Sequence, residues 1–479
     1  MKRICKIVKI VVNLCLGLGF LLLVLLGACN PITKPNLPEP TLPQGFIYEE
    51  ASPSKFVLPV DIGFFPNYPN RIYVVGKQGF IWLVLDGEEQ PRPILDMIDK
   101  VNNTHDRGML SATIHPDFPE QPYLYVLYTY DPPQVFNQTG EAGKEGVGQR
   151  VSRLSRFELD ATKNYKVVIP ESEVVLLGKN STWQNIGDPS AKISNHDAPW
   201  ACGNMGHFTQ DCVPSEGETH SIGKVLFALD GSLLVSTGDA ADVVRADQKA
   251  LRALELDSLA GKILRIDPMT GEGLADNPFY DGNPNSNRSK VYQLGLRNPF
   301  RFAVHPVSSQ VIVTDVGWES WEEINVAPKG ADFGWPCYEG GIYTSGPTPI
   351  KQPGYANFDY CKGYYETRQS TPPIYAWSRG GIAGAVIGGT VIYGNNFPSR
   401  YQNIFCFDNF IQGVVDCLRF NASHQVILNQ QRYADILKFG EGITYTSMAQ
   451  GPDGALYLVS PIPQANDVQS KIHRIRYAP

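Results

Sequence analysis

The sequence predicts an all-β fold, a six-bladed β-propeller with long loop insertions between its strands. Short apolar strands that end at Asp-Gly or His-Pro corners recur along most of the chain, and such strand-turn units are typical of propeller blades. Apolar residues at helical spacing are nearly absent, the best candidate being residues 246–258, "ADQKALRALELDS". Because the strand units recur at long and irregular intervals, we expect insertions between strands.

The strand-turn units can be counted, and their number predicts the number of blades. The six units are "RIYVVGKQGFIWLVLDG", "HPDFPEQPYLYVLYTY", "FALDGSLLVSTGD", "FAVHPVSSQVIVTDVG", "GTVIYGNNFPSRYQNIFCFDNF" and "GPDGALYLV". One β-sandwich would not need this many strands, and two sandwiches would normally be joined by a linker. In a propeller the last sheet is commonly completed by the other end of the chain, so we expect residues 55–62 to pair with residues 470–478. This closure also hides the edge strands.

Residues 1–28 have the pattern of an export signal, with a positively charged start and a long apolar stretch. The small residues before Cys29 resemble a bacterial lipobox, in which the cysteine becomes the lipidated first residue of the mature protein. An ordinary signal with a chance cysteine is the alternative. Residues 29–45 are rich in proline and predict a stiff tether. We therefore expect an exported lipoprotein, held by its lipid anchor on the periplasmic or cell-surface side of a membrane.

The rest of the chain, residues 46–479, contains no second linker, so one large domain is the simplest account. The formal net charge of the chain is -7, and it has no basic run. Both features argue against a nucleic-acid partner.

Six of the nine cysteines lie outside the signal region. An even number in an exported protein predicts three disulfides, although six cysteines allow many pairings. We favour pairing between neighbours in sequence, which gives Cys202–Cys212, Cys337–Cys361 and Cys406–Cys417. No C-x-x-C pair is present, which argues against a zinc site.

His220 and Asp239 flank the predicted hairpin "GETHSIGKVLFALDGSLLVSTGD". A hairpin of this length returns Asp239 to the end where His220 lies, so both side chains face one rim. Such a histidine could act as a general base, with the carboxylate orienting the imidazole and raising its basicity. The alternative is a histidine that only caps a loop.

Arg297 lies in "LGLRNPFRFAVHP", residues 294–306, at an Asn-Pro corner before an apolar strand. A planar side chain with five donors can tie loop carbonyls together. It can equally clamp an anionic ligand. The residues around it leave both interpretations open.

A series of motifs resembles the glucose/sorbosone dehydrogenase family, which consists of six-bladed propellers. The family includes aldose dehydrogenases that depend on pyrroloquinoline quinone (PQQ) and hedgehog-interacting-protein-like proteins. The motifs follow in family order as "HDRGMLSATIHPDF", "HSIGKVLFALDG", "STGD", "LAGKILRID", "ADNPF", "YQLGLRNPFRFAVHP", "VTDVGWESWEEIN" and "GADFGWPCYEG". The resemblance covers nearly all of the predicted mature chain.

The resemblance implies a role for each matching residue. His220 is similar to the family's general base, which takes the proton of the sugar's anomeric hydroxyl while hydride passes to the quinone. Activity should therefore fall in acid, where the imidazole is protonated. The residues expected to contact PQQ are Asp106, Arg107, Asp239, Arg297, Asn298 and Gln412. Backbone carbonyls expected to help hold Ca²⁺ against the cofactor belong to Gly317, Trp318 and Phe333.

Two positions depart from the dehydrogenase pattern. The family's dehydrogenases usually carry Lys or Arg between a tyrosine and a glycine of the fifth blade, whereas here Tyr393 runs directly into Gly394. Gln412 stands where they tend to have a basic residue. PQQ is a tricarboxylate, and each charge-assisted contact is typically worth about 1.5 to 3 kcal/mol, so these losses would weaken its binding. The loop "NHDAPWACGNMGHFTQDC" before His220 is closed by cysteines and could cover or obstruct the site.

Two functional hypotheses follow from the sequence. The first is an exported PQQ-dependent dehydrogenase that oxidises an aldose sugar and passes electrons to an unidentified membrane or soluble acceptor. The second is a catalytically silent propeller that binds a protein or glycan partner through the same rim. The sequence contains neither a G-x-S-x-G elbow nor an H-E-x-x-H motif, so it gives no support to a hydrolase.

Overall fold

The computed structural model describes residues 38–342, 348–380, 384–429, 434–460 and 469–479. They form six antiparallel sheets arranged as the blades of a β-propeller, as the sequence predicts. The predicted signal residues 1–28 and Cys29 lie outside the described ranges. Among the described residues, no helix has the length and apolar composition that a membrane span requires.

Each blade runs from an inner strand at the propeller axis to an outer strand at the rim. The first strand of the chain, β1 (Phe46–Val57), belongs to the last blade. Blade 1 contains β2 (Pro59–Phe65), β3 (Tyr68–Gly76), β4 (Phe80–Leu85), β5 (Glu88–Glu89) and β6 (Leu95–Asp96). Blade 2 contains β7 (Met109–Ile114), β8 (Tyr123–Tyr130), β9 (Arg150–Leu159) and β10 (Val168–Leu177). A small hairpin of β11 (Gly203–Asn204) and β12 (His207–Phe208) follows, and β13 (Val213–Ser215) pairs with β9.

The second half of the chain repeats this arrangement. Blade 3 contains β14 (Ile222–Phe227), β15 (Leu233–Thr237), β16 (Lys262–Ile266) and β17 (Val291–Leu294). Blade 4 contains β18 (Arg301–Val304), β19 (Val311–Asp315), β20 (Trp321–Val326) and, after an inserted hairpin of β21 (Tyr338–Ile342) and β22 (Thr348–Lys351), β23 (Tyr375–Ser378). Blade 5 contains β24 (Val386–Ile392), β25 (Ile404–Asn409), β26 (Val414–Arg419) and β27 (Ile436–Glu441). Blade 6 contains β28 (Ser447–Gln450), β29 (Leu456–Val459) and β30 (Gln469–Tyr477).

The two ends of the chain close the ring, but with a different register from the predicted one. β1 pairs antiparallel with β30 as the outermost strand of blade 6, with Phe46 opposite Tyr477 and Val57 opposite Gln469. Only residues 55–57 of the predicted segment take part, because the chain turns at Leu58 and β2 begins blade 1. The end of the predicted tether also contacts the domain, since Thr41 forms a β-bridge with Glu441.

Helices are short and lie between the strands. The α-helices are Asn287–Lys290 and Asp359–Thr367, and the 3-10 helices are Pro133–Asn137, Gly140–Ala142, Ala161–Lys163, Trp183–Asn185, Gln248–Leu254 and Ser399–Tyr401. The best helical candidate of the sequence forms the 3-10 helix Gln248–Leu254, in which Asp247 caps the N-terminus by accepting from the backbone N–H of Lys249.

The three predicted disulfides are confirmed. Cys202–Cys212 closes the loop before β13, Cys337–Cys361 joins the β21 region to the helix Asp359–Thr367, and Cys406–Cys417 links opposed positions of β25 and β26. All three are local because each closes a loop within one blade or one insertion.

A buried ionic cluster lies on the propeller axis, where the inner strands meet. The carboxylate of Asp61 on β2 accepts from Lys224 Nζ of β14 at 2.9 Å, from Ser111 Oγ of β7 at 2.7 Å and from Ser447 Oγ of β28 at 2.5 Å. Arg301 on β18 donates to backbone carbonyls of β2, β7 and β14 and of the residue before β28. The nearby cations and hydroxyl donors outweigh burial and hold the pKa of Asp61 below its usual value. Five of the six inner strands are thus joined through charged hydrogen bonds.

Candidate active site

The predicted functional residues lie on loops at one face of the propeller, which we call the upper face. It is the face at which the inner strands begin and at which the second and third strands of each blade are joined. In blade 3, the loops that flank the hairpin of β14 and β15 are residues 216–221 and 238–261. In blade 4, the loops that flank the hairpin of β18 and β19 are residues 295–300 and 316–320. The loop before β7 in blade 2 contributes residues 104–108.

His220 and Asp239 meet across the hairpin of blade 3, as the strand lengths predict. Nδ1 of His220 lies 3.2 Å from Oδ1 of Asp239, and both side chains are buried. Oδ2 of Asp239 accepts from the indole Nε1 of Trp335 at 2.7 Å, and Oδ1 also accepts from the backbone N–H of Ala241. The hydrogen bond at Nδ1 fixes the ring orientation, so Nε2 is the atom that can accept a proton from a ligand.

The backbone at this site is held in an unusual conformation. His220 has a φ of +50°, in the left-handed region that a residue with a Cβ seldom adopts. A Cβ on Gly238 would stand 2.1 Å from the carbonyl oxygen of His220. Glycine is therefore required at position 238, and the "STGD" motif brings Asp239 to His220 through this close approach.

His220 is neutral at physiological pH. Burial, supported by the positive charge of Arg297, lowers the pKa of His220 to about 4, and the hydrogen bond with Asp239 offsets only part of this shift. The sequence predicts that the carboxylate raises the basicity of the imidazole. Asp239 does act in that direction, but burial has the larger effect. The imidazole is therefore in the protonation state that a general base needs.

Arg297 fulfils the first of the two roles that the sequence leaves open, that of tying loop carbonyls together. Its Nη1 donates to the carbonyls of Val316 at 2.9 Å and Gly317 at 2.7 Å, so it pins the loop after β19. Its guanidinium also lies 5.5 Å from the centre of the Trp335 ring, and its backbone carbonyl accepts from the N–H of Asp239. Within the part of the chain that the structure describes, Nε and Nη2 make no hydrogen bond, so they can face a ligand.

Asp315 positions the Arg297–Asn298 corner, a role that was not predicted from the sequence. Its carboxylate accepts from the backbone N–H groups of Arg297 at 2.9 Å and Asn298 at 2.6 Å. Burial, with a contribution from the charge of Glu323 on the neighbouring strand, raises the pKa of Asp315 well above its usual value. An aspartate at the end of a strand within the quoted motif "VTDVGWESWEEIN" was the available signal.

Trp335 was also missed, although it belongs to the motif that supplied Phe333. The chain leaves β20, runs beside β17 through a parallel bridge between Leu294 and Asp332, and so returns to the upper face. Trp335 then donates to Asp239, whereas Phe333 packs into the apolar cluster that contains Leu296. The predicted role of the Phe333 carbonyl as a Ca²⁺ ligand stays a prediction, since side-chain packing does not bear on it.

Asp106 and Arg107, which were predicted to contact the cofactor together at the rim, have side chains in two different environments. Arg107 is fully buried and donates to the backbone carbonyls of Gly146, Gly148, Ser215, Glu216 and Gly217, so it holds loops together and is not available as a rim contact. Asp106 has a buried Oδ1 without a hydrogen-bond partner among the described residues. Burial raises the pKa of Asp106 to about 6 against the opposing charge of Lys77. Burial likewise lowers the pKa of Lys77 to about 8.

Gln412 lies in the exposed turn between β25 and β26, on the upper face, and its backbone N–H donates to Asn409. Tyr393 is exposed at the opposite end of blade 5, where β24 ends. Neither position therefore supplies a cation to the site.

Two of the carbonyls that were predicted to hold Ca²⁺, those of Gly317 and Trp318, instead accept hydrogen bonds from an arginine. Arg379, which follows β23, donates through Nη2 to the carbonyl of Gly317 at 2.8 Å and through Nη1 to that of Trp318 at 2.9 Å. A calcium ion does not fit on these oxygens while Arg379 remains in place. The described ranges also contain no group of three or more His, Cys, Asp or Glu side chains that could hold a metal.

Comparison with known proteins identifies the family. The family model for glucose/sorbosone dehydrogenase matches residues 56–185 and 200–466. The chain belongs to the glucose/sorbosone dehydrogenase family. The unmatched residues 186–199 fall in the insertion that precedes the Cys202–Cys212 disulfide of this family member.

Relatives within the glucose/sorbosone dehydrogenase family include both expected branches. The HIPL2 protein of Arabidopsis thaliana is 28% identical over 311 residues, which is 60% of this chain and 42% of the plant protein. The aldose sugar dehydrogenase YliI of Escherichia coli K12 is 24% identical over 298 residues, 62% of this chain and 61% of the bacterial protein. The chain thus spans about half the length of the curated relatives that it matches.

Solved structures share the fold of this glucose/sorbosone dehydrogenase family member. The apo form of the soluble aldose sugar dehydrogenase of Escherichia coli has a TM-score of 0.58 and 18% identity, covering 90% of this chain and 99% of that one. The PQQ-bound aldose sugar dehydrogenase of Streptomyces coelicolor has a TM-score of 0.56 and 17% identity, covering 91% and 99%.

The depressed pKa of His220 predicts a pH-dependent stability. Below the unfolded pKa of about 6.5 the unfolded chain binds a proton that the folded protein does not, so the contribution of His220 to stability falls as the pH decreases toward 4. The unfolding free energy of the wild type, relative to that of His220→Gln, should decrease by about 2 to 3 kcal/mol between pH 7 and pH 4.5. Urea unfolding at both pH values measures this difference, because the carboxylates that both proteins share largely cancel. A constant difference would show that the imidazole is not desolvated.

Proposed function

We propose that this protein is an exported PQQ-dependent sugar dehydrogenase that oxidises an aldose at its anomeric carbon. The observation that carries the proposal is the buried, neutral imidazole of His220, which Asp239 orients next to the Arg297–Asn298 corner. A neutral base beside a fixed positive charge suits the removal of a hydroxyl proton together with electron transfer to an anionic acceptor.

In this proposal each residue has a defined task. Nε2 of His220 accepts the proton of the anomeric hydroxyl, and Asp239 stabilises the imidazolium that results. Trp335 holds Asp239 through its indole N–H, and Asp315 holds the backbone of Arg297 and Asn298. PQQ, when bound, would accept the two electrons that leave the sugar carbon, a chemistry that no side chain of this site supplies.

The charged groups of the upper face are compatible with an anionic quinone. Arg297 has Nε and Nη2 available, and the charges of Arg379 and Lys77 also lie close enough to act on site residues. Asp106 has a buried oxygen without a hydrogen-bond partner in the described ranges, which a polar ligand could satisfy. Arg379 and Lys77 already have protein partners, so they would act on an anionic ligand only through their long-range positive charge.

The localisation part of the proposal rests on the sequence. Residues 1–28 would be removed on export and Cys29 would carry the lipid, with residues 29–45 as tether. The electron acceptor would then be a membrane or soluble component on the exported side.

Titration of the purified protein with PQQ, followed by reduction of a dye in the presence of a panel of aldoses, tests the proposal. We expect a shift in cofactor absorbance and aldose-dependent dye reduction. If the protein shows neither the absorbance shift nor the dye reduction, it is not a PQQ-dependent dehydrogenase. The second candidate function, a propeller that binds a protein or glycan, would then be favoured. The disulfide-closed loop at residues 202–212, which could cover or obstruct the site, favours that candidate.

Arg297→Ala should weaken PQQ binding by about 10- to 100-fold, because a charge-assisted contact is typically worth about 1.5 to 3 kcal/mol. Turnover should fall as well, since the same charge stabilises the reduced quinone. Absorbance titration measures the dissociation constant. Arg92→Ala, a change at an exposed arginine, is the matched control and should leave binding unchanged. Equal affinity of the Arg297→Ala variant and the wild type would mean that Arg297 only pins its loop.

A further inference from the structure

An arginine side chain lies at the centre of an oxygen-rich site on the loop between β19 and β20. Besides the carbonyls of Gly317 and Trp318, Arg379 contacts the carboxylate of Glu322, with Nε 2.5 Å from Oε1. Two main-chain carbonyls and one carboxylate therefore surround a single guanidinium. Hard oxygen donors of this kind are the ligands that Ca²⁺ prefers in proteins.

We infer that the guanidinium of Arg379 is the resident cation of this site and replaces the divalent ion that its oxygen donors would otherwise bind. The guanidinium is planar, and its Nε, Nη1 and Nη2 each donate to a different oxygen-bearing group. The compact ammonium of a lysine could not reach all three groups in this geometry. The cation is thus supplied by the chain itself.

The surroundings of Arg379 hold it in this position. Its backbone N–H donates to the carbonyl of Ser320, and its side chain is only 13% exposed. Glu322 is fully buried, and its second oxygen accepts from the backbone N–H of Val386 at 3.0 Å. A buried carboxylate needs a compensating positive charge, so Glu322 retains Arg379 unless another cation replaces it.

The position of this cation links it to the candidate active site. Arg379 and Arg297 donate to the same carbonyl, that of Gly317, so two guanidinium groups converge on one oxygen atom. The positive charge of Arg379 also contributes to the lowered pKa values of His220 and Arg297. The inference about the resident cation holds whether or not the protein oxidises sugars, whereas its consequence for PQQ binding rests on the proposed function.

Calcium binding to the metal-stripped protein tests the inference without any cofactor. Equilibrium dialysis against radioactive calcium should show no stoichiometric ion on the wild type or on Arg400→Ala, which changes an exposed arginine. Arg379→Ala should bind a stoichiometric calcium ion at least about tenfold more tightly than the wild type, and calcium should raise its melting temperature. Arg379→Gln, which keeps an amide donor, serves if the alanine variant does not fold.

Two results would overturn the inference. The first is a stoichiometric calcium ion on the wild type that Glu322→Gln abolishes, since the ion would then coexist with Arg379. The second is a folded Arg379 variant that gains no calcium, since the three oxygens would then not form a cation site.

A second arm uses PQQ and separates this inference from the proposed function. The wild type should bind PQQ with a dissociation constant that differs by less than about twofold between excess EGTA and excess calcium. Arg379→Ala should bind PQQ at least about tenfold more weakly in EGTA and recover part of the loss in calcium. Binding of PQQ to the wild type only in calcium contradicts the inference. Absence of PQQ binding under both conditions contradicts the proposed function, and the calcium dialysis still decides the identity of the cation.

Discussion

Replacement of His220 by alanine is expected to lower aldose-dependent dye reduction by about a hundredfold or more while leaving the affinity for PQQ nearly unchanged. Removal of a general base typically costs this much, because the proton must then pass to water. His220 reaches the site through Nε2, while its Nδ1 bonds to Asp239. The change therefore removes proton transfer and not the groups that would hold the cofactor.

The measurement compares turnover and cofactor affinity in the same preparation. Dye reduction at saturating sugar gives the turnover, and absorbance titration gives the dissociation constant for PQQ. His207→Ala is the matched control, because His207 is exposed on the β11–β12 hairpin. A variant that keeps its turnover would remove His220 from the mechanism. A variant that loses PQQ binding to the same extent as turnover would assign His220 to cofactor binding.

Asp61→Ala should lower the free energy of unfolding by about 3 to 5 kcal/mol, the usual cost of removing one partner from a buried ion pair. The change leaves Lys224 buried without its carboxylate and removes the acceptor of Ser111 and Ser447. The effect is large because the cluster joins inner strands of different blades on the propeller axis.

Urea unfolding of the wild type and two further variants measures this cost. Asp61→Asn should lose less than Asp61→Ala, since an amide oxygen can still accept from the serine hydroxyls. Asp117→Ala, at an exposed position, should change the unfolding free energy by less than about 0.5 kcal/mol. A loss below about 1 kcal/mol for Asp61→Ala would show that the axial cluster does not stabilise the ring.

Features that depend on neighbours in sequence were predictable. The hairpin between His220 and Asp239 has strands of matched length, so the contact between the two side chains follows from local geometry. The three disulfides join neighbouring cysteines for the same reason. The six strand-turn units predicted the blades, because alternating apolar strands and tight corners are local signals.

Features that depend on the route of the chain between distant segments required the tertiary structure. Trp335 reaches the site because the insertion between β20 and β23 returns to the upper face, and Arg379 reaches it because β23 ends at that face. No periodicity in the sequence encodes either path. The motif around Arg107 shows an arginine, but only the surrounding loops decide that its donors are used by backbone carbonyls. The sequence by itself thus determined the fold class, the disulfides and the His220–Asp239 pair, which rest on short-range contacts. The tertiary structure decided which cations face the site, because the burial and partners of a charged side chain depend on segments far away along the chain.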